Sequence, residues 1–577
     1  MESHSQLDSA SRPSAGQLIV FLLLFLLPGV ALSQSPSSST DRISQVKKLY
    51  DAGRWNDVVQ AVPESPNEAA DLELYRGLAL AHLQRWEASK KTFEIGFVRN
   101  PHDTRFLVEL AGVAYRKKKF SRAKRELHRA LAINPRDIYA NDFLASIYFL
   151  EGNLEAALKY WNRADKPKLA DLTFDPQPRL NRLILDRAFA FSRGSEWRQD
   201  QFLMTRAQLE GLSLFPHALV DLQPQPNGSF YLKFYGSERN GWGNTRWEGL
   251  ISLLRGLPFQ SVYPEFYNLD RTGLNWLSLV RWDDEKRRVF TEIAAPLGEN
   301  PGIRYRIYFD GRNENWDVTN TLAPLVRSLA LLNLEKAAAA AEISFIPSGR
   351  WQWSSGIEYS YRRFRNLTGI PEQAAPFFTT GSAIVLQSRV QRYVIRSPER
   401  RFTLDSGAVG NLGTFFESPL GRYGRLQGSL AATWFPEARG EDYEVQVKLR
   451  GSRSFGKVPF DELLMLGFDR DNDLWLRGHP GLHNGQKGDA PLGRNYILTN
   501  WELDKVLYKG ALFTLKAGPI LDSGDIYDPS GYFGSPKWLW DTGIQAKVRL
   551  LSSFEFILGY GKDLRSGKNS FFTTVSR

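Results

Sequence analysis

No cysteine occurs among the 577 residues, which removes disulfides, thiolate nucleophiles and thiolate metal ligands in one step. After the N-terminus no stretch has the roughly 18 uninterrupted apolar residues that a membrane-spanning helix requires. Phosphate-cradling glycine loops and the Gly-x-Ser-x-Gly nucleophile turn are missing as well. Of seven histidines, only His479 and His483 lie beyond residue 240. Their i, i+4 spacing would pair two metal ligands only on a helix, and Pro480 and Gly481 between them oppose one. The expectation is a protein that is not an enzyme, with no cofactor and no metal.

Aromatic residues, by contrast, are abundant: 16 Trp, 22 Tyr and 36 Phe make 13% of the chain. That load suits the interfacial girdles of a membrane β-barrel, whose alternating strands also leave an unremarkable mean hydropathy. The net charge of +11 is scattered rather than clustered, which fits a charged lumen or anionic lipid head groups better than nucleic acid.

The first 33 residues read as an export signal. The apolar run Leu18 to Leu27 follows Arg12 and precedes Pro28 and the small-residue pattern Ala31-Leu32-Ser33. Residues 34–40 read as a serine-rich spacer. Between 41 and 165 the chain repeats itself. Trp86, Phe120 and Leu154 recur at 34 residues, as do Ser89, Ala123 and Ala157, then Phe93, Leu127 and Trp161, while Pro101 and Pro135 close two units. A small residue where two helices cross, a large one four later and a helix-ending proline at this period resemble the tetratricopeptide repeat. Ala123 and Ala157 would let paired helices approach, and stacking would bury each pair's apolar face in an α-solenoid.

From 166 to 239 the order is strand (Leu169–Phe174), helix (Leu180 to near Gly194), helix (Asp200–Leu214), strand (Ala218–Gln223) and strand (Ser229–Ser237). Residues 241–577 then alternate with period two. Tyr443, Val445, Val447 and Leu449 face away from Glu444, Gln446, Lys448 and Arg450; Ile303, Tyr305, Ile307 and Phe309 oppose Arg304, Arg306 and Asp310. Alternation fits a soluble sandwich or a membrane barrel equally, and the export signal and aromatic load favour the barrel, with about sixteen strands in this length.

The strand-helix-helix-strand-strand order, with Leu209-Glu210-Gly211-Leu212-Ser213-Leu214-Phe215 and Glu238-Arg239, resembles the polypeptide-transport-associated (POTRA) domain of the bacterial surface-antigen superfamily of outer-membrane barrels. Leu476-Arg477-Gly478-His479 in a glycine-rich loop, Glu502 on the next strand and Asp522-Ser523-Gly524 on the following one resemble that superfamily's internal-loop motif. His479 stands where an aromatic is usual, and Ile520 where Phe or Gly is common. The resemblance implies that Arg477 and Gly478 sit at the loop tip, that Arg477 pairs with Glu502 and Asp522, and that Gly524 closes the motif. Physically, a guanidinium inside a barrel needs carboxylates to hold it. The string Phe468-Asp469-Arg470-Asp471-Asn472-Asp473 lacks the spacing of a calcium loop and reads as a solvated turn.

The expected protein is therefore α+β and multidomain: a tetratricopeptide solenoid, a POTRA-like domain and a transmembrane antiparallel barrel. It is expected in the bacterial outer membrane, arm in the periplasm, handling client polypeptides and docking periplasmic or lipoprotein partners through the repeats. A plugged channel and a membrane-anchored scaffold are the alternatives.

Overall fold

The computed structural model describes residues 39–64, 68–319, 328–370, 372–417, 421–510, 512–535, 537–550 and 554–576. The export signal and residues 34–38 of the spacer lie outside the described residues. The chain divides into two compact units, residues 1–133 and 134–577.

The first unit is built from helix pairs: α1 (Ser39–Asp51), α2 (Trp55–Ala61), α3 (Ala70–His82), α4 (Trp86–Arg99), α5 (Thr104–Arg116) and α6 (Phe120–Ile133). The second opens with one more pair, α7 (Ile138–Leu150) and α8 (Leu154–Trp161). Trp86, Phe120 and Leu154 begin α4, α6 and α8, and the turn before each is made by a left-handed residue, Gln84, Lys118 or Gly152. Ser89, Phe93, Ala123, Leu127 and Ala157 are fully buried. Small residues are needed where helices meet: a Cβ on Gly77 would strike the Phe93 ring, and one on Gly96 the Phe106 ring. Asp103 and Asp137 cap α5 and α7, accepting from Arg105 N–H and Ala140 N–H.

The unit boundary falls after α6, and within the second unit α8 is fastened to residues 396–399. Arg396 binds Glu155 through two hydrogen bonds of 2.6 and 2.7 Å, Tyr160 Oη donates to Glu399 at 3.0 Å, and Asn153 donates to the Pro398 carbonyl at 2.7 Å.

A small domain follows: β1 (Leu169–Asp175), α9 (Arg182–Ala188), α10 (Gln199–Leu212), β2 (Ala218–Pro224) and β3 (Phe230–Gly236). Its sheet has the order β1-β3-β2, with β1 parallel and β2 antiparallel to β3. Helix α9 ends six residues short of Gly194, because Phe189, Phe191 and Trp197 leave the helical path to pack edge-on against one another and, through Phe189, against Phe174 and Phe234.

The remainder begins with α11 (Arg246–Leu254), β4 (Ser261–Val262) and β5 (Glu265–Leu269). Long antiparallel strands follow: β6 (Leu274–Trp282), β7 (Lys286–Leu297), β8 (Asn300–Thr319), β9 (Ser328–Ser348), β10 (Trp351–Thr368), β11 (Gly381–Ser397), β12 (Phe402–Phe415), β13 (Arg422–Trp434) and β14 (Tyr443–Gly456). A long loop carries the two-residue ladders β15 (Leu464–Met465), β16 (Leu482–His483), β17 (Gln486–Lys487) and β18 (Leu492–Gly493). The sheet resumes with β19 (Asn495–Lys509), β20 (Phe513–Tyr527), β21 (Leu539–Leu550), β22 (Phe554–Asp563) and β23 (Asn569–Ser576). The hydrogen-bonded order closes on itself, β23 next to β4. Among the described residues, β4 and β5 pair along β6 in one continuous register and form a single wall strand, so that with β6–β14 and β19–β23 the wall has fifteen.

The two faces of this wall are opposite in character. Ile307, Phe309, Ile357, Tyr359, Leu412, Ile544 and Leu558 are exposed on the outside. Their neighbours point inward and pair across strands. Arg306 of β8 binds Glu292 of β7 at 2.6 Å, and Arg288 of β7 binds Asp310 of β8 at 2.9 Å.

Candidate functional site

The loop between β14 and β19, residues 457–494, folds back against the inner wall and is fastened on three sides. Arg477 makes one fully buried attachment. Its Nε and Nη2 donate to the two oxygens of Asp522 on β20 at 2.8 and 2.6 Å, and its backbone N–H reaches the same carboxylate at 3.0 Å. Nη1 donates to Glu502 of β19 at 2.7 Å and to Gln545 of β21 at 3.0 Å. Arg477 is 1% exposed and Asp522 0%. The structure thus brings together Arg477, Glu502 and Asp522, with a forked guanidinium–carboxylate geometry that fixes orientation as well as position.

A second tier holds the carboxylates. Asn500 donates to Asp522 at 2.7 Å, and Lys547 donates to Glu502 at 2.7 Å and to Asp504 at 2.6 Å. Gly478 N–H donates to Asp541 of β21 at 2.6 Å; a Cβ there would meet the Asp541 carboxylate at 2.7 Å and Asp563 N at 2.6 Å, so the loop tip requires glycine. Gly524 pairs with Leu498 across β19 and β20, where a Cβ would stand 2.7 Å from the Ile497 carbonyl.

His479 occupies the position where the sequence departs from the superfamily's aromatic, and it has a polar role. Nδ1 lies 3.0 Å from Asp541 and Nε2 3.5 Å from Asp563 at the end of β22. An imidazole and two carboxylates within 4.8 Å form a set that could ligate a cation. Both ring nitrogens already face carboxylates, so the arrangement is that of a bridge between neighbouring strands. His483, on β16, is exposed and outside this group.

The string 468–473 is the second attachment, not the solvated turn its sequence suggested. Asp471 receives Arg281 of β6 at 2.6 Å and Arg288 of β7 at 2.9 Å, and Lys487 binds Glu314 of β8 at 2.7 Å. Opposite charges on the first strands and in the loop satisfy each other, which is why both can be buried. The third attachment is Asp461, held by Arg362 of β10 at 2.7 Å and Lys336 of β9 at 2.9 Å. Between these points a cavity of about 790 Å³ remains, lined by Arg288, Arg306, Lys336, Asp405 and Arg450 among others.

No protein-family model matches the sequence, and no curated protein does. Solved structures do. The chain is similar to BamA from Haemophilus ducreyi lacking POTRA domains 1-3, at 11% identity over 71% of this chain and 84% of that one, with a TM-score of 0.43. It is similar to CdiB from Acinetobacter baumannii at 12% identity over 78% of this chain and 80% of that one, with a TM-score of 0.43. Over 22% of its length it is similar to MamA, at 18% identity, 77% of that chain and a TM-score of 0.21.

Gln545, Lys547, Asp541 and Asp563 were not singled out from the sequence, and Asp469 and Asp471 stood out only as part of a solvated turn. Each is one more inward polar or charged residue on a period-two strand or a loop, and only register shows which of them meet.

Proposed function

We propose that the chain is a bacterial outer-membrane barrel that inserts or translocates client polypeptides, with the 34-residue helix pairs acting as tetratricopeptide repeats and the small β1–β3 domain as a POTRA-like module in a periplasmic arm. The observation that carries the reading is the inversion of the wall: apolar and aromatic side chains outside, paired charges and a clamped loop within. Such a surface suits lipid, and a closed sheet satisfies its backbone polar groups without water. The seam supports the client role. There the eight-residue β23 closes on β4, which is only two residues long. A wall that is weakly laddered where it closes can exchange hydrogen bonds with an incoming β-segment. The clamp acts mechanically, and the proposal needs no cofactor and no enzymatic step.

Depleting the protein should lower the outer-membrane level of at least one other protein; an outer-membrane proteome unchanged on depletion overturns the proposal. A plugged channel is the second reading, favoured by the loop that fills the lumen.

A further inference from the structure

Helix α11 is amphipathic in the reverse sense. Its polar stripe turns toward the protein: Glu248 accepts from Asn244 N–H at 2.8 Å, Ser252 donates to Glu265 at 2.6 Å, and Arg255 donates to Ser252 at 2.7 Å and Glu265 at 2.6 Å. Its apolar stripe turns away, with Trp247 71% exposed, Leu250 44% and Leu254 38%. Spacings of three and four place these three on one face. A surface helix in water shows the opposite pattern, since exposed charge and buried carbon both lower the free energy there.

The placement of the helix says what it meets. Gly241, before the helix, exchanges backbone hydrogen bonds with Tyr267, and Trp282 N–H donates to the Gln260 carbonyl beyond it, so α11 is bracketed by the two ends of the first hairpin. Trp242 packs at a tilt against Phe266 at 4.4 Å, and Phe266 stacks on Trp276 at 5.5 Å. Trp276, Val280 and Trp282 are exposed on the face of β6 opposite to Arg281, whose guanidinium reaches inward to Asp471. The exposed aromatics of the helix segment are therefore continuous with the outer surface of the barrel. Nine residues rise about 13.5 Å, too short to cross a bilayer alone.

We infer that Trp247, Leu250 and Leu254 form a lipid-contacting stripe, which makes α11 part of the membrane-embedded surface beside the first strands. This rests on the reading of the barrel as membrane-spanning. A helix satisfies its own backbone, so it covers the weakly laddered start of the sheet without presenting an unpaired edge to lipid.

The absence of native cysteine makes a direct test clean. Leu250→Cys and Leu254→Cys, on separate turns, are each labelled with an environment-sensitive fluorophore in the full chain and reconstituted into phosphatidylcholine–phosphatidylglycerol vesicles carrying spin-labelled acyl chains. Ile544→Cys on the outer wall and Ala132→Cys on α6 are the lipid and water references. Both helix positions should be quenched to the extent of Ile544→Cys and several-fold more than Ala132→Cys. Water-like emission without quenching at both, with Ile544→Cys quenched, overturns the inference alone. Apolar emission without lipid quenching also overturns it, since the stripe would then be covered by a second copy or another polypeptide. Loss of quenching at Ile544→Cys as well overturns the membrane reading beneath it.

Discussion

Arg477 carries four of the loop's contacts to the wall strands through one side chain, and no other residue type could make them all. Replacing it with alanine leaves Asp522 buried with Asn500 as its remaining side-chain donor, and Glu502 with Lys547 and Gln545. Removing one partner of a buried ion pair costs about 3–5 kcal/mol. Arg477→Ala should therefore lower the temperature at which the compact band converts to the unfolded one in semi-native electrophoresis, and Arg477→Lys should lower it less, because a point charge can meet one carboxylate but cannot fork. An unchanged conversion temperature for the alanine variant would remove the clamp as a structural device. In the helical unit, Glu109 carries the opposite kind of stress: burial pushes its carboxyl up to about 7. The fold therefore favours the protonated form, so stability is greatest below the ordinary carboxylate range, falls as pH rises toward 7 and is level above it. Glu109→Gln should raise the melting temperature of the helices at pH 8 and flatten its slope between pH 5 and 7, as followed by circular dichroism of the full chain. A slope that survives the substitution would assign it elsewhere.

Elements were legible in proportion to their local signal. The 34-residue period announced α4, α6 and α8 through Trp86, Phe120 and Leu154, because helix packing repeats the same residue sizes at the same positions. The left-handed turns at Gln84 and Lys118 left no trace, since only the third member of the series, Gly152, is a glycine. Helix α9 was read too long because Phe189 and Phe191 extend an apolar pattern that the aromatic cluster of the small domain uses otherwise. Helix α11 was absorbed into the start of the barrel: its exposed Trp247 and Leu250 carry no sign, in sequence, of the side on which solvent lies. The clamp was half legible. A motif spaced over three segments named Arg477, Glu502 and Asp522, while Asp541 and Asp563 depend on register between β21 and β22, where Asp541 and Asp563 are paired.

At the scale of the whole molecule, alternation alone could not say which face of the sheet is wet. The same period-two pattern builds a sandwich with a dry centre or a barrel with a charged one. The structure resolves this by position, with Ile357 and Tyr359 exposed outside and Arg306, Arg362 and Arg477 turned inward. Inside, the loop joins the two flanks of the closure, since Asp471 holds β6 and β7 while Gly478 and His479 hold β21 and β22. The loop is thus both plug and brace, and the two roles separate experimentally. Deleting Leu476–Gly493 should open a large conductance in planar bilayers, because the cavity of about 790 Å³ then joins the space the loop vacates. If the protein handles clients, the same deletion should also lower client levels in the outer membrane, as the seam loses the tie between its flanks. A rise in conductance with clients unaffected would favour the plugged channel. A conductance unchanged by the deletion would mean that side chains of the wall, and not this loop, seal the lumen.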